Sequence, residues 1–171
     1  MKSTFLKSIL AVVLISTTMT AFSQGDIVTV ASGSKDHSTL VAAVKAADLV
    51  ATLQSKGPFT VFAPTNAAFN KLPKGTVESL LKAESKGKLT AILTYHVVAG
   101  NFDAATITAA IKKGNGKAEL TTVQGEKLSA AIIDGKVILT DEKGGNSTVV
   151  ATDLKASNGV IHVVDTVLMP K

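Results

Sequence analysis

The sequence predicts an α+β domain with helices mostly in its N-terminal part and antiparallel strands mostly in its C-terminal part. Three observations carry this. Apolar residues recur at the helical period as far as Ile111, while from Lys117 onward short β-prone runs alternate with turn dipeptides. Of the 171 residues, 46% are apolar and 18% charged, so the chain can fill a core rather than stay disordered. Element types that segregate along the chain, instead of alternating, predict helices packed against one face or end of an antiparallel sheet or sandwich.

The first segment is set apart from that domain. Lys2 and Lys7 precede the apolar run Ile9–Ile15, and Ala21-Phe22-Ser23 places small residues at positions −3 and −1 of a cut before Gln24. Seven continuous apolar residues are far short of the ~20 needed to cross a bilayer, so residues 1–23 are expected to be a cleaved secretory signal. Residues 24–171 are expected to form one domain, with its core from about 26 to 170. Cleavage removes two lysines and leaves sixteen against thirteen acidic residues, lowering the net charge from +5 to +3.

Along the domain, Asp36-His37-Ser38-Thr39 offers capping side chains ahead of a helix carrying Leu40, Val44, Ala47 and Ala51, which Gly57-Pro58 terminates. Phe59-Thr60-Val61-Phe62-Ala63 is a short strand closed by Pro64, and Thr65 or Asn66 caps a brief helix with Ala67, Ala68 and Phe69. Val77, Leu80 and Leu81 begin a third helical region, with a hinge at Gly87 and a second half through Leu89, Ile92, Leu93 and His96. Asp103 caps another helix through Ile107 and Ile111. Strands follow at 118–123, 127–133, 136–140, 148–153 and 160–168, with Asp134-Gly135 and Asn158-Gly159 as type I′ hairpin turns.

Composition removes several chemistries. All 18 basic residues are lysines, and cysteine and tryptophan are absent. Disulfides, thiolate metal sites, thiol nucleophiles, arginine clamps on phosphate and the Arg-Gly-Asp tripeptide are therefore excluded. The lysine clusters at 82, 86 and 88 and at 112, 113 and 117 have no interleaved aromatics for stacking on bases, which argues against nucleic acid. His37, His96 and His162 are available as bases, but no Gly-x-Ser-x-Gly elbow accompanies them. No Asp-x-Asp-x-Asp-Gly calcium loop or close histidine pair occurs. Neither a cofactor, a metal nor catalysis is expected.

Three segments, in order, resemble the signatures of the fasciclin domain. Phe59-Thr60-Val61-Phe62-Ala63-Pro64-Thr65-Asn66-Ala67-Ala68-Phe69 resembles the first signature, and Tyr95-His96-Val97-Val98 the tyrosine–histidine segment. Asn158-Gly159-Val160-Ile161-His162-Val163-Val164-Asp165 with Leu168-Met169-Pro170 resembles the second. The resemblance implies a wedge-like β-sandwich with a helical layer. It also implies adhesion to cells and matrix, as in tandem animal members, or the single-domain exported form found in bacteria.

Most signature residues read as structural. On a strand, His162 shares a face with Val160 and Val164, as a satisfied core histidine does, and Asp165 falls on the other face with Ile161 and Val163. The resemblance associates Tyr95 and His96 with integrin binding in animal members. His96 continues an apolar helix face and is expected to point inward, whereas Tyr95 is expected to project elsewhere as a partial anchor for a partner. These readings give a secreted or periplasmic, non-enzymatic, monomeric protein that binds a cell-surface or matrix protein or polysaccharide. The alternatives are an exported binder of an anionic polysaccharide or lipid headgroup and, more remotely, a hydrolase. Asn146-Ser147-Thr148 is a glycosylation sequon expected in a loop.

Overall fold

The strand of the first signature lies inside the sheet of the computed structural model, which describes residues 25–171. The expected secretory signal, residues 1–23, lies outside the described residues. β1 (Phe59–Pro64) pairs antiparallel with β2 (Val97–Ala99) on one side and parallel with β7 (Gly159–Val164) on the other. β6 (Asn146–Ala156), β5 (Lys136–Thr140), β4 (Lys127–Ile133) and β3 (Lys117–Thr121) continue outward, so the seven strands run β2-β1-β7-β6-β5-β4-β3. The pairs from β3 to β7 are antiparallel, as expected.

β6 turns this sheet into a two-layered wedge. Its residues 146–148 pair with β5, whereas 149–156 pair with β7 across two register shifts. Such irregularities bend a strand and increase its twist, letting β6 pass from one layer to the other. The ends then meet: Val98 bridges Thr122, and the Val123 N–H donates to the Val97 carbonyl at 2.8 Å. The result is nearly a closed barrel.

Helices α1 (Ile27–Ser32), α2 (Ser38–Ala46), α3 (Val50–Gln54), α4 (Asn66–Asn70), α5 (Thr76–Leu80) and α6 (Lys86–Tyr95) come before β2, and α7 (Ala104–Lys113) follows it. Local capping explains several of them. Asp26 accepts from the Thr29 N–H at 2.7 Å and opens α1, a helix too short to show periodicity in the sequence. Thr65 caps α4 through the Ala68 N–H, and Asp103 caps α7 through the Thr106 N–H, as expected.

Other expectations are corrected. The helix expected through Ala51 is two helices, because Asp48 adopts φ 56° and the N–H groups of Asp48 and Leu49 bond back to the carbonyls of Lys45 and Val44. This is a Schellman ending with aspartate in the position that glycine usually takes, and it leaves Ala51 exposed. Gly87 is no hinge: it lies in the first turn of α6, and the break spans 81–85. The start of α2 is capped from elsewhere in the chain, by the Asn66 carboxamide oxygen, which accepts from the Thr39 N–H at 3.0 Å. Asn146 is the first residue of β6 rather than a loop residue.

Asp134 and Gly135, at φ 51° and 76°, form the expected I′ turn. Asn158-Gly159 does not, since neither has positive φ. Gly159 is needed for another reason: a Cβ there would lie 2.0 Å from the Phe59 carbonyl oxygen. Asn158 acts as a clamp. Its oxygen accepts from the Ile27 N–H at 3.0 Å, and its amide donates to the carbonyls of Leu53 at 2.6 Å and Ser55 at 3.0 Å.

Alternation along β1 and β7 divides the core. Val61, Ala63 and Ile161 face a cluster shared with α1–α6, whereas Phe62 and Val164 face a cluster inside the strand layers, covered by Ile107 and Ile111 of α7. Replacing Asn158 by Ala removes three hydrogen bonds that tie α1 and the end of α3 to the β6–β7 turn. The expected loss is about 2–4 kcal/mol in urea unfolding, with Asn158→Gly, which keeps turn freedom but not the clamp, equally destabilised.

Candidate interaction site and the signature residues

His96 follows the last turn of α6 and is 2% exposed. Its Nδ1 lies 2.8 Å from the Ile92 carbonyl, and its Nε2 accepts from the Leu168 N–H at 3.0 Å. A carbonyl can only accept, so Nδ1 carries the proton and Nε2 is bare. Burial pushes its pKa down to about 4, against the opposing pull of the Ile92 carbonyl and the Asp141 charge. The ring is a neutral strut that fixes the C-terminal segment. Asp141 assists it: its carboxylate accepts from the N–H groups of Lys143, Gly145 and Met169. In the sequence Asp141 reads as an ordinary turn residue, and only its fixed loop and the distant Met169 reveal this role.

Tyr95 is fully buried, which corrects the expectation that it projects toward a partner. A helix ending between two packed layers points consecutive residues into both. Tyr95 therefore enters the cluster of Phe62 and Leu128, while His96 reaches Leu168. The Tyr95 hydroxyl donates to the Lys127 carbonyl at 2.9 Å and accepts from the Glu142 N–H at 3.3 Å. Burial pushes its pKa up to about 12.

His162 is equally enclosed. Its Nε2 donates to the Phe102 carbonyl at 2.7 Å, its Nδ1 faces the Asp153 N–H at 3.4 Å, and its ring stacks on Phe62 at a centroid separation of 5.6 Å. Asp165 accepts from the Thr148 N–H at 2.8 Å and pairs with Lys71 at 3.4 Å. Burial would raise its pKa, but these donors outweigh burial and hold it below the ordinary carboxylate range. Phe59, Val61, Phe62, Ala63, Pro64 and Phe69 pack in or beside the two core clusters or within β1, Thr65 and Asn66 cap helices, and Asn158 and Gly159 join the layers.

The two signature histidines thus have every ring nitrogen engaged by a backbone group. Among the described residues, no group of three or more His, Asp or Glu side chains is placed to hold a metal ion. What the fold offers outward is surface. A groove of mixed polarity, about 760 Å³, runs between the end of α3 and the β6–β7 turn, with Lys56, Pro58, Asn101, Asp103 and Lys155 along it. Among the described residues, neither Lys56 nor Lys155 enters an ion pair. Elsewhere Ile133 and Val150 expose 55% and 58% of their surface. No helix among the described residues is long and apolar enough to cross a membrane.

Two outcomes follow from the buried pair. Unfolded His96 titrates near 6.5 and folded His96 near 4, so the unfolded chain takes up the proton first as pH falls. The stability from this residue is complete above about pH 6.5 and is lost progressively toward pH 4, at roughly 3 kcal/mol over the window. Urea midpoints should therefore fall more steeply with acid in the native protein than in His96→Gln. Tyr95→Phe should cost about 1–2 kcal/mol of stability, read by thermal unfolding, without altering any surface.

The fasciclin-domain family model matches residues 35–170. Protein sll1483 of Synechocystis sp. is 54% identical over 144 residues, covering 84% of this chain and 73% of that protein. Immunogenic protein MPB70 of Mycobacterium bovis is 38% identical over 153 residues, covering 86% of this chain and 70% of that one. Among solved structures, a FAS1 domain pair from the insect cell adhesion molecule Fasciclin I aligns with a TM-score of 0.58 at 22% identity, over 76% of this chain and 43% of the pair. That likeness speaks to the fold, and the sequence matches speak to descent: the chain belongs to the fasciclin-domain family.

Proposed function

We propose that the chain is exported, loses residues 1–23, and serves as a non-enzymatic binding module that attaches to a cell surface or matrix through protein contacts. The observation that carries this reading is the complete internal use of the signature side chains. Tyr95, His96 and His162 spend their polar atoms on backbone partners, which leaves recognition to the outer surface of a rigid scaffold. Family membership supports the same reading, since Fasciclin I is a cell adhesion molecule. Integrin recognition through Tyr95 is not part of it, because a fully buried ring presents nothing to a partner.

The groove between Lys56 and Lys155 favours a second reading, association with an anionic polysaccharide. Two cations beside Asn101 and Pro58, against the single carboxylate of Asp103, leave the groove net positive and suit a sugar chain bearing carboxylate or sulfate groups.

Adsorption of the purified protein to intact cells and to extracted envelope or matrix tests both. Saturable binding that survives 0.5 M salt and is unchanged in Tyr95→Phe is expected for protein-mediated attachment. Binding abolished by that salt and by Lys56→Glu with Lys155→Glu would replace it with the polysaccharide reading. Absence of saturable binding at any salt would overturn both, and turnover lost in a folded His162→Gln variant would return the chain to the enzymes.

A further inference from the structure

His37 stands apart from the other two histidines. It is 4% exposed, and both of its ring nitrogens are buried without a hydrogen-bond partner among the described residues. A neutral imidazole carries one donor and one acceptor, and leaving either empty in a buried place is destabilising. Burial lowers the pKa of this ring, with neighbouring Asp36 opposing the shift, so the neutral form is the one to satisfy.

The ring forms part of the wall of a pocket of about 380 Å³ between α1, β1 and the β6–β7 pair. Most of that wall is apolar: Val30, Ala31, Ala63, Leu154 and Ile161. The volume falls within the ~300–1,000 Å³ range of small-molecule sites, which are mainly apolar with a few polar groups that orient the ligand. Leu154 at this wall is 40% exposed, an apolar surface that a ligand in the pocket would cover. Ala31, Ala63 and Ile161 also line an apolar crevice of about 40 Å³ that continues beneath the helices. The orphan imidazole, the pocket and the exposed leucine are separate observations at one place.

The wall also limits the ligand. Among the described residues, no lysine, aspartate or glutamate lines the pocket, so a charged head would lose its hydration without gaining a counter-ion. A hydroxyl can accept from the protonated ring nitrogen or donate to the bare one, so it can serve whichever of the two the ring presents. Both nitrogens are closed off in this rotamer, so binding requires the ring to turn about χ2, a broad torsion in histidine, and bring one of them to the cavity. We propose that this pocket binds a small, uncharged apolar molecule bearing a hydroxyl group, of the medium-chain alkanol class, with His37 as its hydrogen-bond partner.

The site is independent of surface attachment, and its failure would leave that reading untouched. The test is titration of 1-octanol into the isotopically labelled protein, followed through the His37 ring nitrogens and the backbone amides. Saturable shifts at the His37 ring and at Ala31, Ala63, Leu154 and Ile161 are expected, with octanoate at least about tenfold weaker. His37→Phe, which keeps an aromatic ring but no hydrogen bond, should weaken octanol about tenfold. If that variant fails to fold, the ring-nitrogen shifts in the native protein and weakened binding in the rim variant Leu154→Lys decide the matter. Non-saturable shifts, saturation elsewhere, undiminished affinity in His37→Phe, or octanoate binding as tightly as octanol would each overturn the proposal.

Discussion

The parallel contact between β1 and β7 is the constraint on which the remaining structure depends. It joins residues about a hundred positions apart, in register from Phe59 opposite Gly159 to Pro64 opposite Val164. At its start the two backbones approach so closely that only glycine fits at 159, and next to it Asn158 spends its whole carboxamide on α1 and the end of α3. Strand pairing and helix docking are thus fixed at one corner. Because β1 and β7 lie mid-sheet, each buries both faces, one toward the helices and one toward the strand layers. That is why both signatures read as nearly continuous apolar runs rather than as alternating ones.

The second organising feature is the placement of polar rings at the seams. His96 and Asp141 hold the C-terminal segment through the N–H groups of Leu168 and Met169, and His162 ties β7 to the Phe102 carbonyl before α7. Tyr95 spans the β3–β4 side and the loop after β5. Each connects elements that apolar contact alone would leave free to slide, since apolar contacts are not directional and hydrogen bonds are. Against that pattern the ring of His37, unpartnered among the described residues, stands out as chemistry that these elements do not use.

Surface charge contributes little to holding the fold. The ion pairs of Lys71 with Asp165, Lys86 with Asp48, Lys127 with Glu119 and Lys171 with Glu142 involve side chains that mostly face solvent, where such pairs are worth ~0–1 kcal/mol. Lys112 and Lys113 sit in the last turn of α7, where the helix dipole favours cations. Lys86, Lys112 and Lys113 thus have local structural explanations, whereas Lys56 and Lys155 face one groove and Lys35 and Lys45 another.

Whatever depends on a few adjacent residues is legible in the chain before it folds. The I′ turn at Asp134-Gly135, the Asp103 cap, the strand from Phe59 closed by Pro64 and the order of helices before strands all follow from local sterics and short-range hydrogen bonds. The inward direction of His96 followed from helical periodicity alone. The rest rests on long-range contacts. The Asn66 cap on α2, the Asn158 clamp, the parallel place of β1 beside β7, the burial of Tyr95 and the empty nitrogens of His37 depend on groups brought together from distant parts of the chain. A side chain's partners are set by which surfaces pack, and packing is a property of the folded whole that no local pattern encodes.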